Sequence, residues 1–379
     1  MDATLKTIAD KVRERQRLSA QDGLALLEHP DIWSVGRLAS QVRHQLHQQT
    51  TYYNINRHIN YSNVCALSCK FCAFHRKRGD EGAYEFSPEQ IAEEARKAAE
   101  AGATEVHMVG GLHPYLPFSY YLDVLRAVKT AAPQIHVKAF TAVEIVHLAR
   151  VAKRPKDLVG VLGDLKEAGL GSLPGGGAEV FDDRVHDEAF KGKIRSDKWL
   201  EVHRAAHEIG LMSNATILYG HVESLEDRIH HFCLLREQQD DAIERGLPGR
   251  FQTVIPLPFI PDDSELEHLA GPTGLEDLRM LAVARLMLDN IAHIKCFWIM
   301  QTLELAEIAL DFGVDDVDGT VVWYDITKVG GSNNHQERSV RDLRDAIIEA
   351  GYEPVERDTI YRPVVRDGAR WRVTEAVPA

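Results

Sequence analysis

No uninterrupted apolar run in the 379-residue chain approaches the roughly 18 to 20 residues that cross a bilayer. The longest candidate, around residues 286–300, is broken by Asp289, Asn290, His293 and Lys295, so no membrane insertion is expected. Positive charge is also in short supply: 44 Lys and Arg face 57 Asp and Glu, for a formal net charge of −13. That balance argues against a general nucleic-acid or anionic-membrane binder, which needs a cationic footprint to recruit phosphate. A basic start followed by an apolar block, the mark of a secretory signal, is missing, since Asp2 and Asp10 stand there instead, which predicts a cytoplasmic location. Fixed-period repeats and low-complexity tracts are absent too. Cysteine is scarce at five residues, and three of them (Cys65, Cys69, Cys72) fall within eight positions, so a disulfide framework is not expected.

What is present is the composition of an ordinary globular chain, 44% hydrophobic and 27% charged. Residues 1–51 read as an N-terminal helical cap, with apolar residues at three- and four-residue spacing in LSAQDGLALLEH and WSVGRLASQVRHQLHQ. From residue 52 the texture changes to short β-rich runs separated by helical patterns. The strand candidates are 58–63, 105–110, 135–141, 171–174, 213–220, 251–257 and 294–300. Ser87-Pro88-Glu89-Gln90 and Thr273-Gly274-Leu275-Glu276 fit capping boxes at the starts of two intervening helices. Such alternation over residues 52–335 predicts an α/β fold with a parallel sheet, either a (β/α)8-type barrel or a doubly wound open sheet. No G-x-G-x-x-G follows the first strand, so the barrel is favoured. Residues 336–379 read as a helix followed by a hairpin or extended arm.

Directly after the first strand candidate comes Asn63-Val64-Cys65-Ala66-Leu67-Ser68-Cys69-Lys70-Phe71-Cys72, a C-x3-C-x2-C spacing that can turn three thiolates toward one point. Structural zinc usually takes two cysteine pairs, and Cys233 and Cys296 are isolated; zinc completed by His75 stays open as an alternative, as does a non-catalytic, zinc-stabilised module. Three thiolates alone fit an iron–sulfur cluster with one iron left for another ligand.

This loop resembles that of the radical S-adenosylmethionine (SAM) enzymes. The resemblance implies a (β/α)8-type barrel in which Cys65, Cys69 and Cys72 hold a [4Fe-4S] cluster whose open iron chelates SAM, a cosubstrate cleaved to a 5′-deoxyadenosyl radical. It also implies a one-electron reductant such as flavodoxin or ferredoxin. Phe71 matches the family's aromatic position near the adenine, Gly110-Gly111 the turn near the methionine amino group, and Glu179 an acidic contact to the cosubstrate. Thr216-Ile217-Leu218-Tyr219-Gly220-His221-Val222-Glu223 resembles the G-x-I-x-G-x-x-E segment on the adenosine, with Gly220 and Glu223 in register and Thr216 in place of the first glycine.

Longer stretches, among them 57–84, 109–121, 136–145, 171–181 and 284–300, resemble the subgroup holding the two radical enzymes of the futalosine route to menaquinone and the deazaflavin-forming synthases. His113 and the Lys138-Ala139-Phe140-Thr141 segment favour the branch that adds the adenosyl group to 3-[(1-carboxyvinyl)oxy]benzoate over its hydrogen-abstracting sister cyclase. A dicarboxylate inside an acidic protein calls for cations. His113 and Lys138 are the catalytic candidates, Arg57, Asn214 and His221 the substrate-binding ones, and Lys193 and Arg195 are further cations near predicted strand ends. Segment 241–249 reads as a loop longer than the subgroup's, and 322–335 fits the subgroup poorly, which makes the last barrel segment a candidate for a changed loop over the mouth.

Overall fold

The computed structural model describes residues 2–190, 192–262, 264–321 and 337–374. The chain leaves its N-terminal helices through β1 (Thr50–Asn54) and, after Ile55, β2 (Asn56–His58). From there β3 (Glu105–Met108), β4 (His136–Ala139), β5 (Ser172–Leu173), β6 (Met212–Tyr219), β7 (Phe251–Pro258) and β8 (His293–Ile294) pair in parallel and in chain order. β9 (Asp316–Gly319) closes the ring, pairing with β1 and reaching the β8 side through a Lys295–Asp316 bridge. With a helix in each crossover this is the (β/α)8-type barrel. Strands covered on both faces need no polar alternation, and β6 buries seven of its eight residues.

The cap consists of helices Ala3–Arg13, Ala20–Glu28 and Ile32–His47. The first lays Leu5, Ile8, Ala9 and Val12, one helical stripe, into the core. The third packs so closely on the barrel's outer helices that a Cβ on Gly36 would stand 2.5 Å from Phe312. Ser87 and Gln90 form the reciprocal box that starts helix Pro88–Glu100, whereas Thr273 caps Gly274–Met287 by accepting from the Glu276 N–H. Among the described residues no helix is long and apolar enough to cross a membrane.

The tail is more than an appendage. Helix Val340–Glu349 leads to β10 (Glu353–Glu356), which pairs in parallel with β1, and β11 (Val364–Asp367) and β12 (Arg370–Val373) form a hairpin, one of the two arrangements the sequence left open. Between them residues 357–361 plug the end of the barrel where the strands begin. Arg357 Nε donates to Asp316 at 2.6 Å, Gln252 Nε2 donates to the Thr359 carbonyl at 2.9 Å, and the Tyr361 ring stacks on His293 at 3.5 Å. At the same end Asp315 accepts from the Ile294 N–H, Arg285 and His293, which fastens β8 to the turn before β9.

Three expectations are corrected and a fourth falls on residues outside those described. The first barrel strand is Asn56–His58, because residues 59–63 already turn into the cysteine loop; β1 lies at a boundary that the helical texture of residues 32–47 had obscured. The run 294–300 is only briefly a strand and becomes helix Trp298–Gln301. Residues 241–244 are the last turn of helix Leu225–Glu244, and residues 245–250 lead into the start of β7, so segment 241–249 lies at the end of the barrel opposite the cysteine loop and cannot cover its mouth. Segment 322–335 lies outside the described residues.

Candidate active site at the barrel mouth

A cavity of about 280 Å³ opens where the strands end and runs down into the barrel. Its upper wall is the loop after β2. Asn63 organises that loop, its amide donating to the Gly82 carbonyl and accepting from the Tyr84 N–H, both at 2.9 Å. Lys77 ties it from outside by donating to the carbonyls of Cys65 and Leu67 at 3.1 and 2.9 Å. Cys65, Cys69 and Cys72 all face the cavity. Burial pushes the Cys69 thiol up to about 11; at Cys72 burial is outweighed by hydrogen bonds from His75 and from the backbone N–H groups of His75 and Phe74, and its thiol is lowered.

A single tetrahedral zinc would bring its sulfur ligands to about 3.8 Å from one another. Among the described residues the one set of three metal-ligating side chains with all donor atoms within 4.8 Å is His47, His293 and Asp315, so the three thiols are not gathered as tightly as that set. A wider spacing over a cavity is what a multi-iron cluster requires. The His47 set belongs to the closed end, where Asp315 is already satisfied by Arg285 and the Ile294 N–H.

Gly110 and Gly111 sit against this loop because nothing larger fits. A Cβ on Gly111 would fall 2.3 Å from the Val64 carbonyl oxygen, and one on Gly110 2.5 Å from the Tyr61 ring. Phe71 packs edge-on against Phe190 at 5.1 Å, with the Lys193 ammonium 4.7 Å above its ring. Lys193 is ion-paired with Glu179, and both line the cavity. Opposite them Glu144, at the third position of the helix capped by Thr141, accepts from Tyr61 Oη at 2.7 Å and from the Gly110 N–H at 3.1 Å. Burial pushes the Glu144 carboxyl up to about 7.

The floor is ionic. Lys138 on β4 lies 2.6 Å from the buried Glu105 carboxylate, and Lys295, just past β8, lies 2.8 Å from Asp318. Burial alone would raise Glu105, yet Lys138, Lys295 and Arg357 together hold its carboxyl well below the usual range. His58 and His107 meet beside them with ring centres 4.5 Å apart, both kept neutral by burial. Asn214 lines the floor and accepts from Gln252 Nε2 at 2.9 Å.

Of the residues singled out in the sequence, the cavity therefore gathers Cys65, Cys69, Cys72, Phe71, Gly110, Gly111, Lys138, Glu179, Lys193 and Asn214. It does not gather six others. His113 is turned outward: Nδ1 accepts from the N–H groups of Tyr115 and Leu116 and Nε2 faces Glu85 at 2.8 Å. It shapes the loop after β3 and does not line the cavity. Arg57 alternates with inward-facing His58 and points toward Glu337, 3.8 Å away. The Gly220–Glu223 turn folds on itself: Glu223 accepts from the N–H groups of Gly220 and His221 and from Arg228, Gly220 has a φ of 89°, and His221 is held by the Leu218 carbonyl. From that strand Thr216 and Leu218 reach the cavity. Arg195 pairs on the surface with Asp183 and Asp187.

Sequence reasoning missed His58, His107, Glu144, Lys295 and Asp318. Two signals were available. Glu144 completes a T-x-x-E capping box, and Lys295 is a charge inside an apolar strand run, a placement that needs a partner or a ligand.

Three thiols at the mouth of a parallel barrel, above a glycine turn and a deep ionic cavity, define an iron–sulfur radical enzyme. The chain belongs to the radical SAM superfamily, whose model matches residues 59–235, and the CofH/MqnC C-terminal region matches residues 249–367. It is a radical SAM enzyme and uses a [4Fe-4S] cluster and SAM. It is 45% identical to the aminodeoxyfutalosine synthase of Thermus thermophilus, covering 96% of each chain, and 40% identical to that of Streptomyces coelicolor over 95% of this chain and 94% of the other. It is also 36% identical to the 5-amino-6-(D-ribitylamino)uracil–L-tyrosine 4-hydroxyphenyl transferase of Methanopyrus kandleri, covering 88% and 90%. In fold it resembles methylornithine synthase, with a TM-score of 0.70 at 19% identity over 92% of this chain and 97% of that one.

Proposed function

We propose that this enzyme is an aminodeoxyfutalosine synthase: it joins the 5′-deoxyadenosyl group of SAM to the vinyl carbon of 3-[(1-carboxyvinyl)oxy]benzoate, and aryl migration, loss of one carboxyl as CO2 and release of the odd electron back to the redox centre then give 6-amino-6-deoxyfutalosine. In this reading Cys65, Cys69 and Cys72 hold the cluster, and a flavodoxin- or ferredoxin-type donor supplies its electron. The bound cluster and SAM supply one thing, the adenosyl radical formed by one-electron cleavage of the sulfur–C5′ bond. The chain's own residues do the rest. Phe71, Leu67, Phe74 and Val143 wall the upper cavity with apolar surface, which excludes water from a reactive carbon centre. Gly110 and Gly111 bring backbone against the cysteine loop, and the Glu179–Lys193 pair offers an acid and a cation at the same level.

The observation that carries the substrate assignment is Lys138, a buried ammonium reaching the floor of a largely apolar cavity from the Lys-Ala-Phe-Thr segment. Its ammonium is ion-paired with Glu105 at 2.6 Å, and a substrate carboxylate can take one of its three N–H donors. The likeness to the Thermus and Streptomyces synthases, over nearly the whole of each chain, supports the same reading. The test is an anaerobic single turnover of reconstituted enzyme with SAM, dithionite and 3-[(1-carboxyvinyl)oxy]benzoate, with nucleosides read by mass spectrometry. Methionine with an adenosyl adduct is the expected result. 5′-Deoxyadenosine as the sole nucleoside would overturn it in favour of hydrogen abstraction, the chemistry of the sister cyclase.

A further inference from the structure

Lys138 and Lys295 come from opposite walls. In the ring of eight strands from β2 to β9, β4 and the end of β8 stand four steps apart, yet both side chains arrive at one floor. Each is almost wholly buried, at 4% and 2% exposure, and each lines the same cavity. Each has a resident counter-ion from the neighbouring strand, Glu105 beside Lys138 and Asp318 beside Lys295. Asp318 holds a left-handed backbone, φ 68°, to meet Lys295, a conformation a non-glycine residue adopts at a cost and one that clusters at functional sites.

Two such pairs are hard to explain as supports of the fold. Well-packed apolar side chains of similar volume would fill a barrel floor at equal or better stability. An ammonium has three donors, and among the described residues each lysine has one carboxylate partner, which leaves N–H groups for something in the cavity.

We propose that Lys295 is the second carboxylate-binding cation of this site: with Lys138 it grips the two ends of a dicarboxylate lying across the barrel floor, while Glu105 and Asp318 hold the two ammonium groups in position when the ligand is absent. The inference rests on the reading that Lys138 meets a substrate carboxylate. It assigns the spacing between the two carboxylates as the feature the enzyme measures, which a single cation could not do.

Equilibrium binding tests this without turnover. The probe is 3-(carboxymethoxy)benzoate, an unreactive dicarboxylate, compared with benzoate and phenoxyacetate, which each keep one of its two acids. Calorimetry on the cluster-loaded enzyme with SAM is expected to show Lys295→Gln weakening the dicarboxylate about 30-fold, the loss of one charge-assisted hydrogen bond of about 2 kcal/mol. One monocarboxylate should lose affinity in Lys295→Gln and the other in Lys138→Gln. The double variant Lys295→Met/Asp318→Asn, which removes the pair as a unit, should melt like the wild type and show the same loss. Unchanged dicarboxylate affinity in Lys295→Gln, equal losses for all three ligands, or a wild type that binds no dicarboxylate would each overturn the proposal. A wild type that binds the probe but forms no adenosyl adduct would instead sink the synthase reading and leave the paired-cation floor standing.

Discussion

Acidification should unfold this enzyme well above the carboxylate range, and histidine is the cause. Burial holds His47, His58 and His136 down to about 4, and His207 and His231 down to about 3, against about 6.5 in an unfolded chain. A group with a depressed folded pKa leaves its proton to the unfolded state, so between pH 6.5 and 4 the unfolded chain binds more protons and stability falls as the pH falls. Each histidine then destabilises the fold by about 1.4 kcal/mol at pH 5.5 and about 2 kcal/mol at pH 5, so the five together remove about 10 kcal/mol by pH 5. Two buried acids act in the opposite sense: Glu144 is pushed up to about 7 and Asp277 to about 6, so each takes its proton in the folded state first. They return about 4 kcal/mol at pH 5, which leaves a net loss of about 6 kcal/mol relative to pH 7.5. A typical domain has about 5–15 kcal/mol to lose. Urea unfolding followed by circular dichroism from pH 7.5 to 4.5 should therefore give a curve falling by about 4 kcal/mol per pH unit near pH 5.5, an uptake of about three protons. Stability that stays flat or rises as the pH is lowered from 6.5 to 5 would refute the assignment of these histidines as neutral in the fold.

Two other outcomes hang on single side chains. Cys69→Ala should abolish turnover while circular dichroism stays that of the wild type, because three thiols leave no spare ligand; appreciable turnover by a cluster-loaded variant would contradict it. His203 is fully buried against Trp199 at 3.8 Å, and neither ring nitrogen has a hydrogen-bond partner among the described residues. His203→Leu should therefore stabilise the protein by about 1–2 kcal/mol in urea, and a loss of more than about 1 kcal/mol would show that the ring is doing something the packing does not reveal.

Much of this was legible from residue order, and the misses have physical reasons. The run around 213–220 reads as a strand because Ala215, Thr216, Ile217, Leu218 and Tyr219 are apolar or β-favouring, and β6 is that strand, buried along nearly its whole length. The cysteine spacing identifies its own loop, since three thiols within eight residues are constrained wherever the rest of the chain goes. The Gly220–Glu223 motif was harder. An acid three residues after a glycine can serve a ligand or cap the turn it sits in, and the sequence is the same in both cases; here Glu223 is consumed by Gly220, His221 and Arg228. The same ambiguity misplaced His113, whose Nδ1 is taken by its own loop and whose Nε2 faces Glu85. Arg57 was lost to strand parity, because the residue beside it, His58, is the one that faces in. The ionic floor needs barrel closure to exist at all: Glu105 and Lys138 lie 33 positions apart, and Lys295 and Asp318 lie far beyond them in the chain.

That closure also explains where the barrel keeps its charge. At the plugged end Arg285 meets Asp315 and Arg357 meets Asp316, and the partners belong to elements distant in sequence, a cap-facing helix, the tail and the turn into β9. Removing either partner there would strand a buried charge at about 3–5 kcal/mol, so these pairs specify how the last segments dock. Lys138–Glu105 and Lys295–Asp318 do no such docking, because each joins strands that the sheet or the β8–β9 bridge already holds in register. Charges that the fold does not need, set at the bottom of the cavity, are best accounted for by the ligand that enters it.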